Sequence, residues 1–292
     1  MGDIMRKINR IDYKKSTQQS EHFEIVSLSN FFETRPKKLI ESPYRLNFYT
    51  MMYILEGKGS HFIDFKEYHY KAGDVIILRK NQVHSYKVNK NVKGLVIHIN
   101  EPFLYDLGPI DQETFTRVFD QASLSPIIKM DTSLTAPNRQ LLEMIYQESN
   151  QTEVDSPNLL RSLFISFIHT LVREMDIKEH TYSKREFSLF NEYQHLVEKH
   201  YLNQYKLEFY EQQLGVSKKT INQVTRHVVD MSAKEFINQR VVLEIKRLLV
   251  SSELLIYEIS DQLGFDEPAN MTNFFKKYTD LSPREFRSKQ KL

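Results

Sequence analysis

Two segments in the last third of the chain repeat one plan of helix, turn and helix, and this repeat constrains the fold most. Residues 207–228 are LEFYEQQLGVSKKTINQVTRHV, and residues 256–278 are IYEISDQLGFDEPANMTNFFKKY. In each segment a short helical pattern ends in Gln-Leu-Gly, an apolar residue follows, and a second helical pattern begins. Gly215 and Gly264 therefore occupy equivalent turns, 49 residues apart.

The chemistry of these turns predicts how each pair of helices is joined. A glycine just past a helix end adopts the left-handed conformation that other residues resist. Ser217 and Asp266 come two residues later and are predicted to cap the second helix by accepting hydrogen bonds from its free amides. In such a helix-turn-helix the second helix enters the DNA major groove. One match is weak evidence, but two matches with the same turn chemistry predict two DNA-reading helices.

A single helix over residues 232–251 is predicted to join the two units. Ser232 and Glu235 begin it with the capping-box pattern S-x-x-E. Its length of roughly 30 Å approaches the ~34 Å of one DNA turn, so a rigid spacer of this size suits two successive major grooves. A second capping box, Ser282 to Glu285 with Pro283 at the first helical position, predicts a short closing helix.

These residues resemble the AraC/XylS family of bacterial transcription regulators. The resemblance covers residues 187–292 and includes Leu214-Gly215-Val216-Ser217, Arg240, LLVSSELLIYEISDQLGF, Phe275-Lys276-Lys277 and Leu281-Ser282-Pro283-Arg284-Glu285-Phe286-Arg287. It implies a sequence-specific regulator, an activator, that binds double-stranded promoter DNA and acts with RNA polymerase. It also implies a homodimer with a sensor domain ahead of the DNA-binding domain.

Several residues depart from the family pattern. Glu211 stands where the first helix of unit one usually has a small residue, whereas the equivalent Ser260 of unit two is small. Asp280 replaces a glycine after the second recognition helix, Met271 replaces a common aromatic residue, and an arginine often present in each recognition helix is replaced by Gln223 and Asn273. The fold is expected to tolerate these changes, but the base preference of relatives does not carry over.

The outward faces of the two second helices supply the candidate DNA contacts. In unit one they are Ser217, Lys218, Lys219, Thr220, Asn222, Gln223 and Arg226. In unit two they are Glu267, Pro268, Ala269, Asn270, Asn273, Lys276 and Lys277. Asn and Gln pair with adenine, and Lys and Arg with guanine or phosphate. A merely solvated face is the alternative, since residues 186–292 hold 15 Lys+Arg and 15 Asp+Glu. Contact must therefore come from local placement of cations, Arg284 and Arg287 included.

Residues 44–100 have the pattern of short strands. Runs rich in Val, Ile, Tyr and Phe alternate with Gly and Asn turns, which predicts an antiparallel barrel or sandwich. KAGDVIILRKNQVHSY resembles the second half of a cupin motif, as in the sensor domains of AraC-like regulators. An interior lined by Tyr, Phe and Met suits a small organic effector, with Arg45, Tyr53, His84 and Tyr86 as candidate polar anchors. Ordinary barrel core is the alternative for each.

The competing hypotheses are a metal-dependent cupin enzyme with a helical appendage, and an adaptor whose helices bind protein. Metal-dependent cupins place two His and a Glu ahead of the turn at Gly57, but YRLNFYTMMYIL holds neither residue. His61, His69, His84 and His98 could converge, yet a metal site needs three or four supported ligands. We therefore expect no metal, no cofactor and no catalytic residues.

The sequence predicts an α+β protein: an N-terminal cupin-like antiparallel β-barrel with a helical hairpin, and a C-terminal all-α domain with two helix-turn-helix units joined by a long helix. The predicted parts are 1–136, an arm and sensor barrel; 137–176, helices on the barrel; 177–186, a linker; and 187–292, the DNA-binding domain. The wide apolar stripe from Leu160 to Met175 fits a core helix or a dimer contact. Zero Cys, no secretory signal pattern and no apolar run of about 18 residues indicate a cytoplasmic protein without membrane contact.

Overall fold

The computed structural model describes residues 10–11, 22–122, 124–130, 132–151, 156–178 and 184–290. The chain divides into two compact units, one spanning Asn9–Lys178 and the other containing Glu179–Leu292. The first unit contains the described strands and several helices, and the second is helical, which gives the α+β class predicted from the sequence. Among the described helices, none combines the length and apolarity that crossing a membrane would need.

The strands of the first unit form two sheets. They are β1 (Arg10–Ile11), β2 (Phe23–Ser27), β3 (Tyr44–Leu46), β4 (Tyr49–Glu56), β5 (Lys58–Ile63), β6 (Lys66–Lys71), β7 (Asp74–Leu78), β8 (Val83–Tyr86), β9 (Lys93–Ile99) and β10 (Ile127–Lys129). The first sheet has the order β1-β3-β8-β5-β6, and the second has the order β10-β7-β4-β9-β2. Neighbouring strands are antiparallel, except that β1 pairs with β3 in parallel.

One predicted strand run is divided between the two sheets. YRLNFYTMMYIL breaks at Asn47 and Phe48, so that β3 joins the first sheet and β4 the second. The rings of Phe31 and Phe48 both contact His98 of the second sheet, and Phe31 also contacts Tyr86 of the first. Side chains between the sheets thus form one interior, as expected for a cupin-like barrel.

Helices cover the other face of the second sheet. The helices of this unit are α1 (Leu28–Thr34), α2 (Lys37–Glu41), α3 (Glu101–Tyr105), α4 (Pro109–Gln121), α5 (Thr132–Glu148) and α6 (Ser156–Lys178). Met51 and Tyr53 of β4 pack in one core with Phe115 of α4 and with Phe164 and Phe167 of α6. The apolar stripe of α6 is therefore a core stripe. Helices α1 to α4 and strand β10 were not predicted from the sequence.

The second unit contains α7 (Lys184–His200), α8 (Leu207–Leu214), α9 (Lys218–Val229), α10 (Ala233–Ser251), α11 (Ile256–Gln262), α12 (Pro268–Thr279) and α13 (Pro283–Gln290). Helix α10 is the predicted long helix: Ser232 caps it by accepting from the Glu235 amide, and Val241 and Ile245 are fully buried along it. Both α9 and α12 contact α10. Helices α6 and α7 occupy both ends of the predicted linker, whose residues 179–183 lie outside the described part of the chain.

Candidate functional site

The two turns that located the repeated motif have the predicted conformation at their glycines. Gly215 ends α8 with φ 63°, and Gly264 follows α11 with φ 71°. Ser217 caps α9, because its hydroxyl accepts a hydrogen bond from the Thr220 amide at 3.2 Å. The capping role predicted for Asp266 is wrong. Pro268 opens α12 four residues after Gly264, so Glu267 takes the cap position and its side chain makes no capping bond.

Helix α9 exposes a row of unengaged polar side chains. Lys219, Gln223 and Arg226 are exposed at a spacing of four and three residues, which places them on one helix face. In residues 184–290, none of their side chains has a hydrogen bond or ion pair to the protein. Ile221 and Val224 are buried on the opposite side. This row is available to an external partner.

The other candidates on α9 are engaged within the protein. The Asn222 side chain accepts from the Ala233 amide at 3.0 Å and donates to the Lys218 carbonyl at 2.9 Å, so it joins α9 to the start of α10. The Ser217 and Thr220 hydroxyls lie 2.9 Å apart at the cap. The Asn222 side chain is therefore used within the protein and is not available for base contact.

Lys218 is directed back toward α8. Its Nζ lies 2.6 Å from Glu208 Oε1, and its amide donates to Glu211 Oε1 at 3.2 Å. The hydrogen bond between the two side chains raises the pKa of Lys218 and lowers the pKa of Glu208. Sequence reasoning identified Glu211 as a departure from the family pattern but gave it no role, and it did not identify Glu208.

Helix α12 presents an equivalent exposed face. Met271 is completely buried and Phe275 packs on Phe286 of α13, with ring centroids 5.5 Å apart. The exposed residues are the remaining candidates of unit two, namely Glu267, Pro268, Ala269, Asn270, Asn273, Lys276 and Lys277. Arg287, in contrast, donates to the Leu249 and Leu254 carbonyls and fixes the end of α10 rather than standing free for DNA.

A largely buried ionic cluster joins α7 to α10. Arg240 Nε lies 2.9 Å from Glu198 Oε2, and its Nη1 lies 3.1 Å from Glu244 Oε2. The Arg240 guanidinium also lies over the Tyr201 ring, 3.8 Å from its centroid. Although burial opposes the charge, Glu198 and Glu244 raise the pKa of Arg240 above its ordinary value. Arg240 thus has a structural role in this family signature.

Two of the four candidate effector anchors lie in the barrel interior. His84 and Tyr86 are buried on β8, and His61 of β5 forms a hydrogen bond with His84, with Nε2 and Nδ1 3.0 Å apart. Burial lowers the pKa of His61 to about 3 and lowers that of His84 as well, so both rings are neutral near pH 7. In the described residues, His61 Nδ1 and His84 Nε2 have no hydrogen-bond partner.

Two charged residues that no sequence pattern indicated, Glu24 and Arg35, also lie at this interior. Glu24 of β2 lies 2.7 Å from His98 Nδ1, and Arg35 lies 3.9 Å from Glu24 and 4.1 Å from the centre of the Phe31 ring. Burial lowers the pKa of His98 despite the opposing effect of Glu24. Glu24 and Arg35 precede the strand pattern recognised in residues 44–100, so no pattern indicated them.

The other two candidate anchors point elsewhere. Arg45 lies between the buried Tyr44 and Leu46, so its side chain faces away from the interior. On the outside of the barrel its Nε donates a hydrogen bond to the Asn81 carbonyl at 2.8 Å. Tyr53 lies in the core between the second sheet and the helices, with its ring 6.4 Å from that of Phe167. The strand alternation that sends Met52 toward the interior sends Tyr53 to the opposite face.

The barrel histidines do not gather around a common point. His69 is exposed on β6, and His98 is bound to Glu24, whereas His61 and His84 are bound to each other. Within the described residues there is no group of three or more His, Cys, Asp or Glu side chains arranged to hold a metal ion. This arrangement offers no support for the metal-dependent enzyme hypothesis.

Comparison with known families identifies both halves of the chain. Residues 40–164 match the AraC-like ligand binding domain, and residues 210–289 match a helix-turn-helix domain. The HTH-type transcriptional activator RhaR of Salmonella dublin is 22% identical over 241 residues, which are 82% of this chain and 84% of the relative. RhaR of Salmonella agona aligns with the same identity and coverage.

Two solved structures are also similar to this chain. ToxT from Vibrio cholerae O395 is 16% identical and covers 92% of this chain and 98% of its own, with a TM-score of 0.40. The C-terminal domain of the response regulator yesN from Fusobacterium nucleatum is 26% identical and covers 32% of this chain and 93% of its own, with a TM-score of 0.31.

The order of the parts is decisive. A ligand-binding domain precedes a helical unit with two helix-turn-helix motifs, and RhaR aligns with this chain over 84% of its own length. The turn glycines and the exposed faces of α9 and α12 supply the features that a DNA-reading unit needs. The chain therefore belongs to the AraC family and is a DNA-binding transcription regulator with an N-terminal ligand-binding domain.

Proposed function

We propose that α9 and α12 are the two recognition helices and that their exposed polar faces read promoter DNA. The observation that carries this proposal is the matched pair of faces: Lys219, Gln223 and Arg226 on α9, with Asn270, Asn273, Lys276 and Lys277 on α12. Amide side chains suit adenine edges, and the cations suit guanine or phosphate. Exposed polar side chains above a buried apolar row are what a helix lying in a groove requires.

The length of α10 supports simultaneous contact by both units. Ala233–Ser251 has 19 residues, and at about 1.5 Å per residue its length of about 28 Å approaches the ~34 Å that separates successive major grooves. Residues 186–292 hold equal numbers of acidic and basic residues, so affinity must arise from these placed cations. Binding is therefore expected to weaken with salt roughly in proportion to the phosphates contacted.

The wider role follows from the relatives. RhaR is described as a transcriptional activator, and we infer that this chain also activates transcription, acting with RNA polymerase in the cytoplasm and without a catalytic site of its own. We further infer a homodimer. Because the apolar stripe of α6 packs in the core, the interface of the homodimer must use other apolar groups, such as the exposed Ile110, Met144 and Leu159.

The recognition faces are tested by replacing one residue on each helix. With a target duplex selected from a random library by the native protein, Lys219→Ala plus Asn270→Ala should weaken binding at least ~30-fold, because each lost contact costs about 1–3 kcal/mol. The matched control is Lys199→Ala plus Asn203→Ala, which removes the same residue types from exposed positions outside α9 and α12. Equal affinities of the two double variants in a fluorescence anisotropy titration would refute the assignment.

We propose that a small organic effector binds in the barrel interior, where the unpartnered nitrogens of His61 and His84 lie beside Tyr86. A binding molecule should raise the melting temperature of the full chain in a thermal-shift screen. Tyr86→Phe removes only a hydroxyl and should weaken a directly bonded effector about 10-fold, while Tyr257→Phe, on the exposed part of α11, should not. A chain that regulates fully while no effector is found would count against effector control.

A further inference from the structure

Two carboxylates of α8 lie against the start of the first recognition helix. Glu208 and Glu211 are one turn apart on α8 and therefore share a face. Glu208 holds the Lys218 ammonium, and Glu211 accepts from the Lys218 backbone amide. The first amide and the first cation of α9 are thus both engaged by acidic side chains of the same protein.

This position matters because it is where a recognition helix meets DNA phosphate. The free amides and the dipole at a helix N-terminus attract anions, and phosphate groups commonly bind there. The first helix of a helix-turn-helix crosses the sugar–phosphate backbone. A carboxylate at this point occupies an amide that phosphate would otherwise use, and it adds a negative charge close to the DNA.

The second unit lacks this arrangement. The positions of α11 equivalent to Glu208 and Glu211 are Tyr257, which is exposed, and Ser260, which is fully buried. The carboxylate of Glu258 instead accepts from the Leu255 amide at the start of α11. The two helix-turn-helix units therefore differ in the charge that their first helices place near a DNA phosphate.

We propose that Glu208 and Glu211 form an electrostatic brake on the first recognition helix, weakening its sequence-independent attraction to DNA phosphate. The proposal rests on α9 being a recognition helix, as proposed above. The brake reduces binding to every duplex by a similar factor, so a larger share of the remaining affinity comes from base contacts. It also keeps the Lys218 ammonium paired with Glu208, so that Lys218 does not serve as a phosphate contact.

Neutral variants separate charge from capping. Glu211→Gln keeps an oxygen that can accept from the Lys218 amide, and Glu208→Gln removes the negative charge that holds the Lys218 ammonium in an ion pair. We expect the double variant to bind a random-sequence 40-base-pair duplex about 3- to 10-fold more tightly, since two like charges are removed near the phosphates. The slope of log affinity against log salt should steepen by about 0.9, because Lys218 becomes one more phosphate contact.

The matched control is Glu113→Gln plus Glu192→Gln, which also removes two charges but from exposed positions on α4 and α7. The brake is overturned if the double variant binds the random duplex no more tightly than this control, or with an unchanged salt slope. Circular-dichroism melting of all variants verifies that the fold is retained, and Glu211→Gln alone serves if the double variant is destabilised. Titration of the native protein with its selected duplex provides the separate test. If the native protein does not bind this duplex, the DNA-reading assignment is refuted. If it binds, but the variants keep the native affinity and salt slope on the random duplex, only the brake is refuted.

Discussion

Replacing Arg240 with alanine is expected to lower the free energy of unfolding of the C-terminal unit by about 3–5 kcal/mol. The change removes the cation that lies 2.9 Å from Glu198 and 3.1 Å from Glu244, two largely buried carboxylates, while Glu244 keeps its ion pair with Arg247 at 3.4 Å. It also removes the guanidinium stacked on the Tyr201 ring. Scanning calorimetry of the full chain measures the loss.

The control is Arg284→Ala, which removes an exposed arginine from α13 and is expected to change stability by less than about 0.5 kcal/mol. Arg240→Lys tests geometry, because an ammonium retains the charge but cannot serve two carboxylates with a planar fork; we expect an intermediate loss. If Arg240→Ala and Arg284→Ala had equal effects, the cluster would not be what holds α7 to α10.

Phe164→Ala is expected to destabilise the N-terminal unit by a comparable amount, about 3–5 kcal/mol. Phe164 is fully buried on α6, and its ring contacts those of Phe23 and Phe103 at 5.4 and 5.6 Å. Truncation leaves a cavity between the second sheet and its helices, because rings held by three separate elements have little freedom to close it.

Leu159→Ala on the same helix provides the comparison, since Leu159 is 48% exposed and little buried surface is lost. Urea unfolding should show a much smaller shift of the midpoint for Leu159→Ala than for Phe164→Ala. A reversed order would mean that α6 uses its outer face for stability, as it would if that face were the main dimer contact. The two variants thus distinguish between the two roles that the sequence left open for this helix.

The C-terminal unit was the more predictable half because its signals are local. A glycine at φ 63°, a serine cap three residues before a backbone amide, and a capping box from Ser282 to Glu285 each depend only on residues within one turn of helix. Asp266 failed as a cap for an equally local reason, since Pro268 fixes the first turn of α12 and moves the cap to Glu267. These features follow from backbone sterics and short-range hydrogen bonds.

The barrel interior was less predictable because its partners are distant in the chain. Glu24 and His98 are 74 residues apart, and His61 and His84 are 23 apart, yet both pairs form hydrogen bonds. Tyr53 was a reasonable anchor by composition, but the alternation of β4 directs it to the helices. Which neighbour a strand face meets depends on pairing between strands that are distant in the chain, as β2 is from β9, and the pattern within one strand does not specify that pairing.

The sequence by itself determined that this chain carries two equivalent helix-turn-helix units joined by one long helix, since glycine turns and helix caps leave local signatures. Only the tertiary structure decided which polar side chains remain available on those units. In the folded protein the side chains of Asn222, Lys218 and Arg287 bond to other parts of the chain, whereas those of Lys219, Gln223 and Arg226 are exposed. The physical reason is that a side chain's hydrogen-bond partners are set by the elements folded against it, and these elements are not its neighbours in the sequence.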